Sequence, residues 1–253
     1  MQNQEYEQNG FSIFRNFYTL QELDEIHLIL QEFHILWLEQ NKRHYETRSI
    51  NSAYITQEKQ LSEEKRSRIF EFIGSHKLMG TVLAFFENSP AFMNTQLFFD
   101  PQNPKQQNYW HRDIQYSTMS IKEQKEALSK LNVIHFRIPL RCERGIELIP
   151  ETHRRWDDHN EFNVRMEQSG ARKSDPLSKG KIIELNVGDL LVFSANMLHR
   201  GLYGLDRFAF DIIFCDAKVA LVEFAQMHSL PKASTLSSIE NPIAFSNTLK
   251  LKA

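Results

Sequence analysis

Residues 187–199 read Val187-Gly188-Asp189-Leu190-Leu191-Val192-Phe193-Ser194-Ala195-Asn196-Met197-Leu198-His199. Gly188-Asp189 is a turn signal and Leu190 to Phe193 a short apolar run, so the segment predicts a turn, a buried strand and a histidine a few residues beyond it. The same pattern recurs outward from there. From about Asn94 to Asp216 short apolar runs alternate with turn residues, predicting strands at Asn94–Phe99, Tyr109–Gln115, Val133–Leu140, Ile146–Ile149, Lys181–Leu185, Leu190–Phe193 and Phe208–Phe214. A series of this kind is what a sheet sandwich or barrel requires. The polar stretch Ser117–Lys130 predicts a short helix between two strands, and Gln168–Gly180, with two Gly, one Pro and several cations, predicts a mobile, solvated loop.

Upstream the periodicity changes to that of helices. Thr19-x-x-Glu22 is a capping box, followed at helical spacing by Leu23, Ile26, Ile29, Leu30, Phe33 and Leu36-Trp37, predicting a helix over Thr19–Glu39. A second helical stretch begins near Ser62, with Glu63 and Glu64 in its first turn, and carries Ile69, Phe70, Ile73 and the Leu78–Phe86 region. The chain shows neither an internal repeat nor a Pro/Gly/Ser-rich linker. It is therefore expected to be a single domain over residues 1–253, with a helical N-terminal part (about 19–87), a barrel (about 94–216) and a C-terminal extension (217–253).

Composition narrows the chemistry. With 253 residues, 41% apolar and 25% charged, the chain has globular usage, which excludes a disordered tail. Ten His and 32 acidic residues stand against two Cys, and Cys142 and Cys215 are too few for a zinc cluster and too far apart for a CxxC pair. Any metal would be held by imidazole and carboxylate. A net charge of −2 gives no cationic excess for a phosphate backbone, so nucleic acid is not an expected partner, although a small acidic ligand is allowed. No basic n-region precedes an apolar run, no run approaches 18 apolar residues, and Leu251-Lys252-Ala253 is not the Ser-Lys-Leu peroxisomal address. A cytoplasmic location without membrane association is the expectation.

Tyr109-Trp110-His111-Arg112-Asp113 follows a Pro- and Asn-rich turn, Asp100–Asn108. On a strand i and i+2 share a face, so His111 and Asp113 would project inward together while Trp110 and Arg112 face away. His199, delivered by the segment quoted first, would add a second imidazole. Two His and one carboxylate on one face of an octahedron is the donor set of non-haem Fe(II) oxygenases, with positions left for cosubstrate and dioxygen. Eight residues on, Arg207 opens the strand Phe208–Phe214, and a guanidinium fork suits the far carboxylate of a dicarboxylate such as 2-oxoglutarate.

With these residues in this order, the chain resembles the phytanoyl-CoA dioxygenase family of Fe(II)- and 2-oxoglutarate-dependent oxygenases. The resemblance runs from about Asn9 to Asp216 and includes the entry Gly10-Phe11-Ser12-Ile13-Phe14-Arg15-Asn16-Phe17 and the segment Arg144–His153. It implies a mainly β fold with flanking α-helices, a double-stranded β-helix (jelly-roll, cupin-like) barrel. It further implies His111, Asp113 and His199 as iron ligands and catalytic centre, Arg207 as the 2-oxoglutarate anchor, and Fe(II), 2-oxoglutarate and O2 as cofactor and cosubstrates. The carboxylate at Asp113 implies hydroxylation of a small-molecule C–H bond, with succinate and CO2 as coproducts, because related halogenases carry a small residue there. The alternative is a non-catalytic jelly-roll module that binds a metal or ligand.

The sequence departs from the family at Glu151-Thr152, where Gly-Ser is usual before His153, and at Gly201, where many members carry a hydroxyl that helps hold the cosubstrate. His153 is a rival metal ligand whose family position is structural, and Arg200 is the second candidate anchor. Pocket residues expected from strand parity are Asn94, Gln96 and Phe98, together with either His135 and Arg137 or Ile134 and Phe136. Tyr116 and Trp156 are expected at the mouth. Arg137 either grips an acidic substrate or packs against Glu147 or Asp211.

Overall fold

The structure is a computed structural model and describes residues 2–204 and 206–253. Its helices are α1 (Gln2–Asn9), α2 (Leu20–Gln40), α3 (Lys42–Thr47), α4 (Glu63–Ile73), α5 (His76–Leu83), α6 (Ile121–Ala127), α7 (His159–Met166), α8 (Val219–Val222), α9 (Ala233–Leu236) and α10 (Ile243–Lys252). Its strands are β1 (Phe11–Phe14), β2 (Asn51–Ala53), β3 (Pro90–Phe99), β4 (Val133–Pro139), β5 (Glu143–Leu148), β6 (Lys181–Leu185), β7 (Leu190–Ser194), β8 (His199–Gly201) and β9 (Phe208–Asp216). Among the described residues no helix is long and apolar enough to cross a membrane.

The expected jelly-roll architecture is present as two facing antiparallel sheets that hydrogen bonding does not close into a continuous cylinder. The larger has strand order β1-β7-β4-β9-β3-β2, and the smaller β6-β5-β8. One strand of the larger sheet, β2, comes from the part of the chain expected to be helical, and β1 comes from the segment that precedes that part.

Period-two alternation explains why the large sheet sits between two layers. Leu190 and Val192 on β7, Ile134, Phe136 and Ile138 on β4, and Phe208, Phe210, Ile212 and Phe214 on β9 pack with the buried faces of α2, α4 and α5 in one apolar core. The alternate residues of the same strands face the small sheet. At one end Leu191 and Phe193 meet Ile146, Leu148, Ile183 and Leu185 in a second core. At the other end the facing residues are polar, and a cavity opens between the sheets.

Local signals account for most element boundaries. The Thr19 capping box forms as read, Glu22 N donating to Thr19 Oγ1 (3.2 Å) and Thr19 N to Glu22 Oε2 (2.7 Å). The second helical stretch divides: α4 ends at Gly74, and Ser75 caps α5 through Leu78 N. Gly74 has the weakest helix propensity of the non-proline residues, and its carbonyl accepts instead from Asn241 N at 2.8 Å. Gly188, at φ +94°, makes the turn before β7, and a Cβ there would sit 2.5 Å from the Tyr18 carbonyl oxygen.

Two expectations are corrected. Tyr109–Gln115 is not a strand: His111 makes one isolated bridge to His199, and Asp113–Tyr116 turns into a 3-10 helix. Gln168–Gly180 has no regular structure but is pinned rather than free. Trp110 N and Nε1 donate to the Lys173 and Asp175 carbonyls (2.9 and 3.0 Å), Arg200 Nη1 donates to the Ser174 carbonyl (3.0 Å), and Leu177 is buried.

The C-terminal extension packs back on the large sheet. Phe245 of α10 lies 4.8 Å from Phe92 and 5.5 Å from Phe70 between ring centroids, and Thr248 Oγ1 donates to the Phe92 carbonyl at 2.7 Å. The sheet-to-helix core predicts a measurable dependence on single side chains. Phe136, fully buried between Phe85 and Phe214, should cost about 3–5 kcal/mol of unfolding free energy when replaced by Ala, read from urea denaturation. A loss below about 1 kcal/mol would contradict this packing.

Candidate active site

The site begins with a backbone pairing. His111 N donates to the His199 carbonyl (2.9 Å) and His199 N to the His111 carbonyl (3.0 Å), which lays the two imidazoles side by side with centroids 4.2 Å apart. Arg112, extended at φ −119° and ψ 141°, preserves strand parity over three residues, so Asp113 returns to the same side. Asp113 N is then held by the Ala195 carbonyl at 3.1 Å. Trp110 and Arg112 point away as expected. Arg112 is fully buried, with Nε 2.8 Å from Asp157 Oδ1 and Nη1 on the carbonyls of Thr152 and Asn196.

His111, Asp113 and His199 each offer one donor atom, and these atoms lie within 4.8 Å of one another. Asp113 Oδ1 is 3.5 Å from His111 Nε2 and 3.6 Å from His199 Nε2. Each imidazole Nδ1 sits against a backbone carbonyl, Tyr109 at 3.2 Å and Met197 at 3.0 Å, which places the proton on Nδ1 and leaves the Nε2 lone pair for a metal. Electrostatics agree with that. Burial, reinforced by His111, pushes His199 down to about 3, and burial lowers His111 as well, so both rings are neutral donors at pH 7. Burial would raise Asp113, but the His135 hydrogen bond and the three surrounding imidazoles hold it below the usual carboxylate range. Two neutral imidazoles and one carboxylate fit a divalent first-row metal such as Fe(II).

A buried polar network lies behind these groups. His135 Nε2 is 2.8 Å from Asp113 Oδ2, and its Nδ1 is 3.1 Å from Asp211 Oδ2. Both partners are acceptors only, so His135 bonds both as an imidazolium. Burial alone would depress it, yet the hydrogen bonds and charges of Asp113 and Asp211 raise it to about 9. Arg137, directly across from Asp211 in the β4–β9 register, donates Nη1 to Asp211 Oδ1 (2.9 Å) and Nε to Glu143 Oε1 (3.0 Å). The inward face of β4 is thus His135 and Arg137, and Arg137 is committed to Asp211 and Glu143 rather than to Glu147.

Arg207 is different. It is buried, it stacks over Phe98 with its guanidinium carbon 4.8 Å from the ring centroid, and its Nε and Nη1 have no hydrogen-bond partner. Burial, then Arg137, lowers it to about 10, so it remains a cation at neutral pH. A buried cation with empty donors is costly unless an anion completes it, which suits the distal carboxylate of 2-oxoglutarate. Gly201 makes room: a Cβ there would lie 2.7 Å from both Arg207 Nη atoms. Arg200, the second candidate anchor, is occupied by Glu147 (2.7 Å) and lies over Trp110.

The other expected residues separate clearly. Asn94, Gln96, Phe98 and Tyr116 line the cavity, which has a volume of about 460 Å³. Trp156 does not; it is stacked by Arg112, Arg165 and Lys125 in a different cluster. His153 packs against Gly10 and Tyr6, outside the donor cluster. Glu151, at φ +68°, holds the left-handed position where Gly is usual, while Thr152 keeps the hydroxyl function, donating to the Ile149 carbonyl (2.6 Å) and accepting from Leu198 N (2.9 Å). Sequence reasoning left the face of β4 open, with His135 and Arg137 as one of its two alternatives, and it missed Glu143. The available signal was polar His135 and Arg137 alternating with apolar Ile134, Phe136 and Ile138 on a strand buried on both sides.

Solved structures share this fold. AviO1 from Streptomyces viridochromogenes Tue57 superposes with a TM-score of 0.57 at 14% identity, covering 85% of this chain and 93% of that one. EctD from S. alaskensis, solved with 2-oxoglutarate and 5-hydroxyectoine, gives 0.58 at 10% identity over 85% and 75%. The non-haem alpha-ketoglutarate-dependent carbocyclase SnoK from nogalamycin biosynthesis gives 0.53 at 14% identity over 85% and 83%. A search of curated proteins finds no match. A family model described as Phytanoyl-CoA dioxygenase (PhyH) matches residues 6–202, most of the chain, and the protein therefore belongs to the phytanoyl-CoA dioxygenase family of non-haem iron, 2-oxoglutarate- and O2-dependent oxygenases.

Proposed function

We propose that this oxygenase hydroxylates a C–H bond of an uncharged, largely apolar small molecule, with the chain acting as one domain. The observation that supports it is the presence in one cavity of the His111–Asp113–His199 donor cluster and the unpartnered Arg207 guanidinium. His111 Nε2, His199 Nε2 and Asp113 Oδ1 would hold the iron, and Arg207 would hold the distal carboxylate of 2-oxoglutarate. Bound there, iron(II) with 2-oxoglutarate and dioxygen would supply oxidising power for hydroxylation of the C–H bond, with succinate and CO2 as coproducts.

The remaining work belongs to the protein. The two backbone carbonyls on the Nδ1 atoms fix the orientation of both imidazoles. A carboxylate at 113, rather than a small residue, fills the position that a halide would need, which favours hydroxylation. Phe193 and Phe98 wall the donor cluster and the guanidinium and exclude water from their neighbourhood.

Charge balance supports the substrate class. Among the described residues the cavity's cations are His135, Arg137 and Arg207; the first two are neutralised by Asp113, Asp211 and Glu143, and the third is reserved for the cosubstrate. An acidic substrate or a thioester phosphate would find no spare counter-charge inside. The outer wall is instead apolar: Met93, Met119, Val133 and Ile213, joined by Leu221 and Phe224 from the C-terminal extension. Asn94 supplies a polar contact there, its Oδ1 occupied by the backbone amides of Tyr54 and Thr95 and its amide nitrogen left to donate.

Three outcomes follow. Protein supplied with Fe(II), ascorbate and 2-oxoglutarate should release succinate, and His111→Ala or Asp113→Ala should abolish it; metal loading without any coupled or uncoupled turnover would favour the non-catalytic module. Arg207→Met removes two charge-assisted bonds of roughly 1.5–3 kcal/mol each, so the KM for 2-oxoglutarate should rise on the order of 100-fold or more; an unchanged KM would move the anchor elsewhere. In a panel of matched alcohols, methyl esters, free acids and coenzyme A thioesters, the neutral members should stimulate succinate release. Stimulation confined to the thioesters would contradict the apolar-wall reading.

A further inference from the structure

We infer that His135 is a positioning residue that makes Asp113 present one oxygen to the metal, and that through Asp211, Arg137 and Glu143 it ties this carboxylate to the pocket of Arg207. The inference rests on the iron and 2-oxoglutarate reading given above. It begins with a division between the two oxygens of Asp113. Oδ1 faces the Nε2 atoms of His111 and His199 at 3.5 and 3.6 Å, whereas Oδ2 is turned back onto His135 Nε2 at 2.8 Å. A carboxylate free to rotate could offer both oxygens and occupy a position needed by a cosubstrate. With Oδ2 engaged, that rotation breaks a charge-assisted hydrogen bond in a buried setting.

His135 is itself held on three sides. Asp211 Oδ2 lies 3.1 Å from its Nδ1, and the ring stacks on Phe193 at 4.7 Å with an interplanar angle of 22°. Asp211 in turn accepts from Arg137 Nη1 at 2.9 Å, and Arg137 binds both oxygens of Glu143, at 3.0 and 3.3 Å. The chain ends where Glu143 Oε2 stands 3.7 Å from Arg207 Nε, beyond hydrogen-bonding reach. Glu143 therefore biases the position of Arg207 electrostatically while leaving its donors to a ligand. Phe98, with the Arg137 and Arg207 guanidinium carbons each 4.8 Å from its ring centroid, spaces the two cations.

Stability alone does not account for this arrangement. Replacing a buried ion network by apolar residues of similar volume is often neutral or stabilising, and the opposite face of the same strand is built that way, from Ile134, Phe136 and Ile138. His135, Asp211, Arg137, Glu143 and Arg207 are buried and Asp113 is half-buried, and the network reaches the cavity at its two functional ends, Asp113 and Arg207, which is where fixed orientation matters for chemistry.

The test is a Co(II) titration of the chelator-stripped, full-length protein under anaerobic conditions, read by visible absorption and calorimetry. His135→Leu should weaken Co(II) affinity about 10- to 100-fold and alter the Co(II) absorption bands. His135→Gln, which keeps one donor toward Asp113, should recover affinity to within about fivefold of the parent. Asp211→Asn, which is isosteric and keeps a side-chain oxygen toward Arg137, should weaken Co(II) several-fold. At saturating Co(II) it should also raise the 2-oxoglutarate Kd at least about threefold. Co(II) affinity and spectrum unchanged within twofold in both His135→Leu and Asp211→Asn, or in Asp211→Asn alone if His135→Leu does not fold, would overturn the inference. An unchanged 2-oxoglutarate Kd would remove its Arg207 half. Failure of the unsubstituted protein to bind Co(II) would instead strike the metal reading beneath it.

Discussion

The site depends on two reciprocal backbone hydrogen bonds between His111 and His199. They join a segment that is otherwise not a strand to the edge of the small sheet, and they do so at the two residues whose imidazoles must meet. Everything else in the site is arranged around that bridge. Arg112 and Trp110 anchor the segment from behind through Asp157, the Thr152 and Asn196 carbonyls and the pinned 168–180 loop. The extended Arg112 returns Asp113 to the same side at the start of the 3-10 turn, and Ala195, itself bonded to β4 through the Val133 carbonyl, holds its amide. A local pairing thus fixes the relative position of groups 88 residues apart along the chain, 111 and 199.

Much of this was legible before any coordinates. The strand β6 was read residue for residue and β7 and β9 to within two residues, because short apolar runs between turn signals have few alternatives in a buried sheet. The capping boxes at Thr19 and the Ser62 cap gave the helix starts for the same reason: they satisfy amides that nothing else can reach. What failed was information that exists only in three dimensions. Tyr109–Gln115 has the composition of a strand, but it has a partner at His111 alone. The strands β1, β2 and β8 are three or four residues long, too short to carry periodicity. The four residues singled out in sequence do lie on one cavity. His135 was ambiguous because β4 is buried on both faces, so that parity alternates without saying which face is the pocket.

The cavity also shows a physical trade-off. Three carboxylates, Asp113, Asp211 and Glu143, are hydrogen-bonded to His135 and Arg137, while Arg207 stands 3.7 Å from Glu143 with its Nε and Nη1 left unbonded. Such a set is fragile, since removing one member strands a buried charge at a cost of about 3–5 kcal/mol. It also leaves the outer half of the cavity free of charge, to be lined by apolar groups from β3, β4, β9 and the C-terminal extension. On the proposed reading, orientation at the donor cluster and preference for a neutral substrate are two results of the same charge pairing.

The most direct test is an anaerobic crystal structure of the protein soaked with Fe(II) and 2-oxoglutarate. The account predicts a metal peak bounded by His111 Nε2, His199 Nε2 and a single oxygen of Asp113, with His135 still on the other oxygen and the distal carboxylate of 2-oxoglutarate on Arg207. A metal peak elsewhere, at His153 for instance, or a cosubstrate carboxylate on Arg200 or Arg137 in place of Arg207, would contradict it.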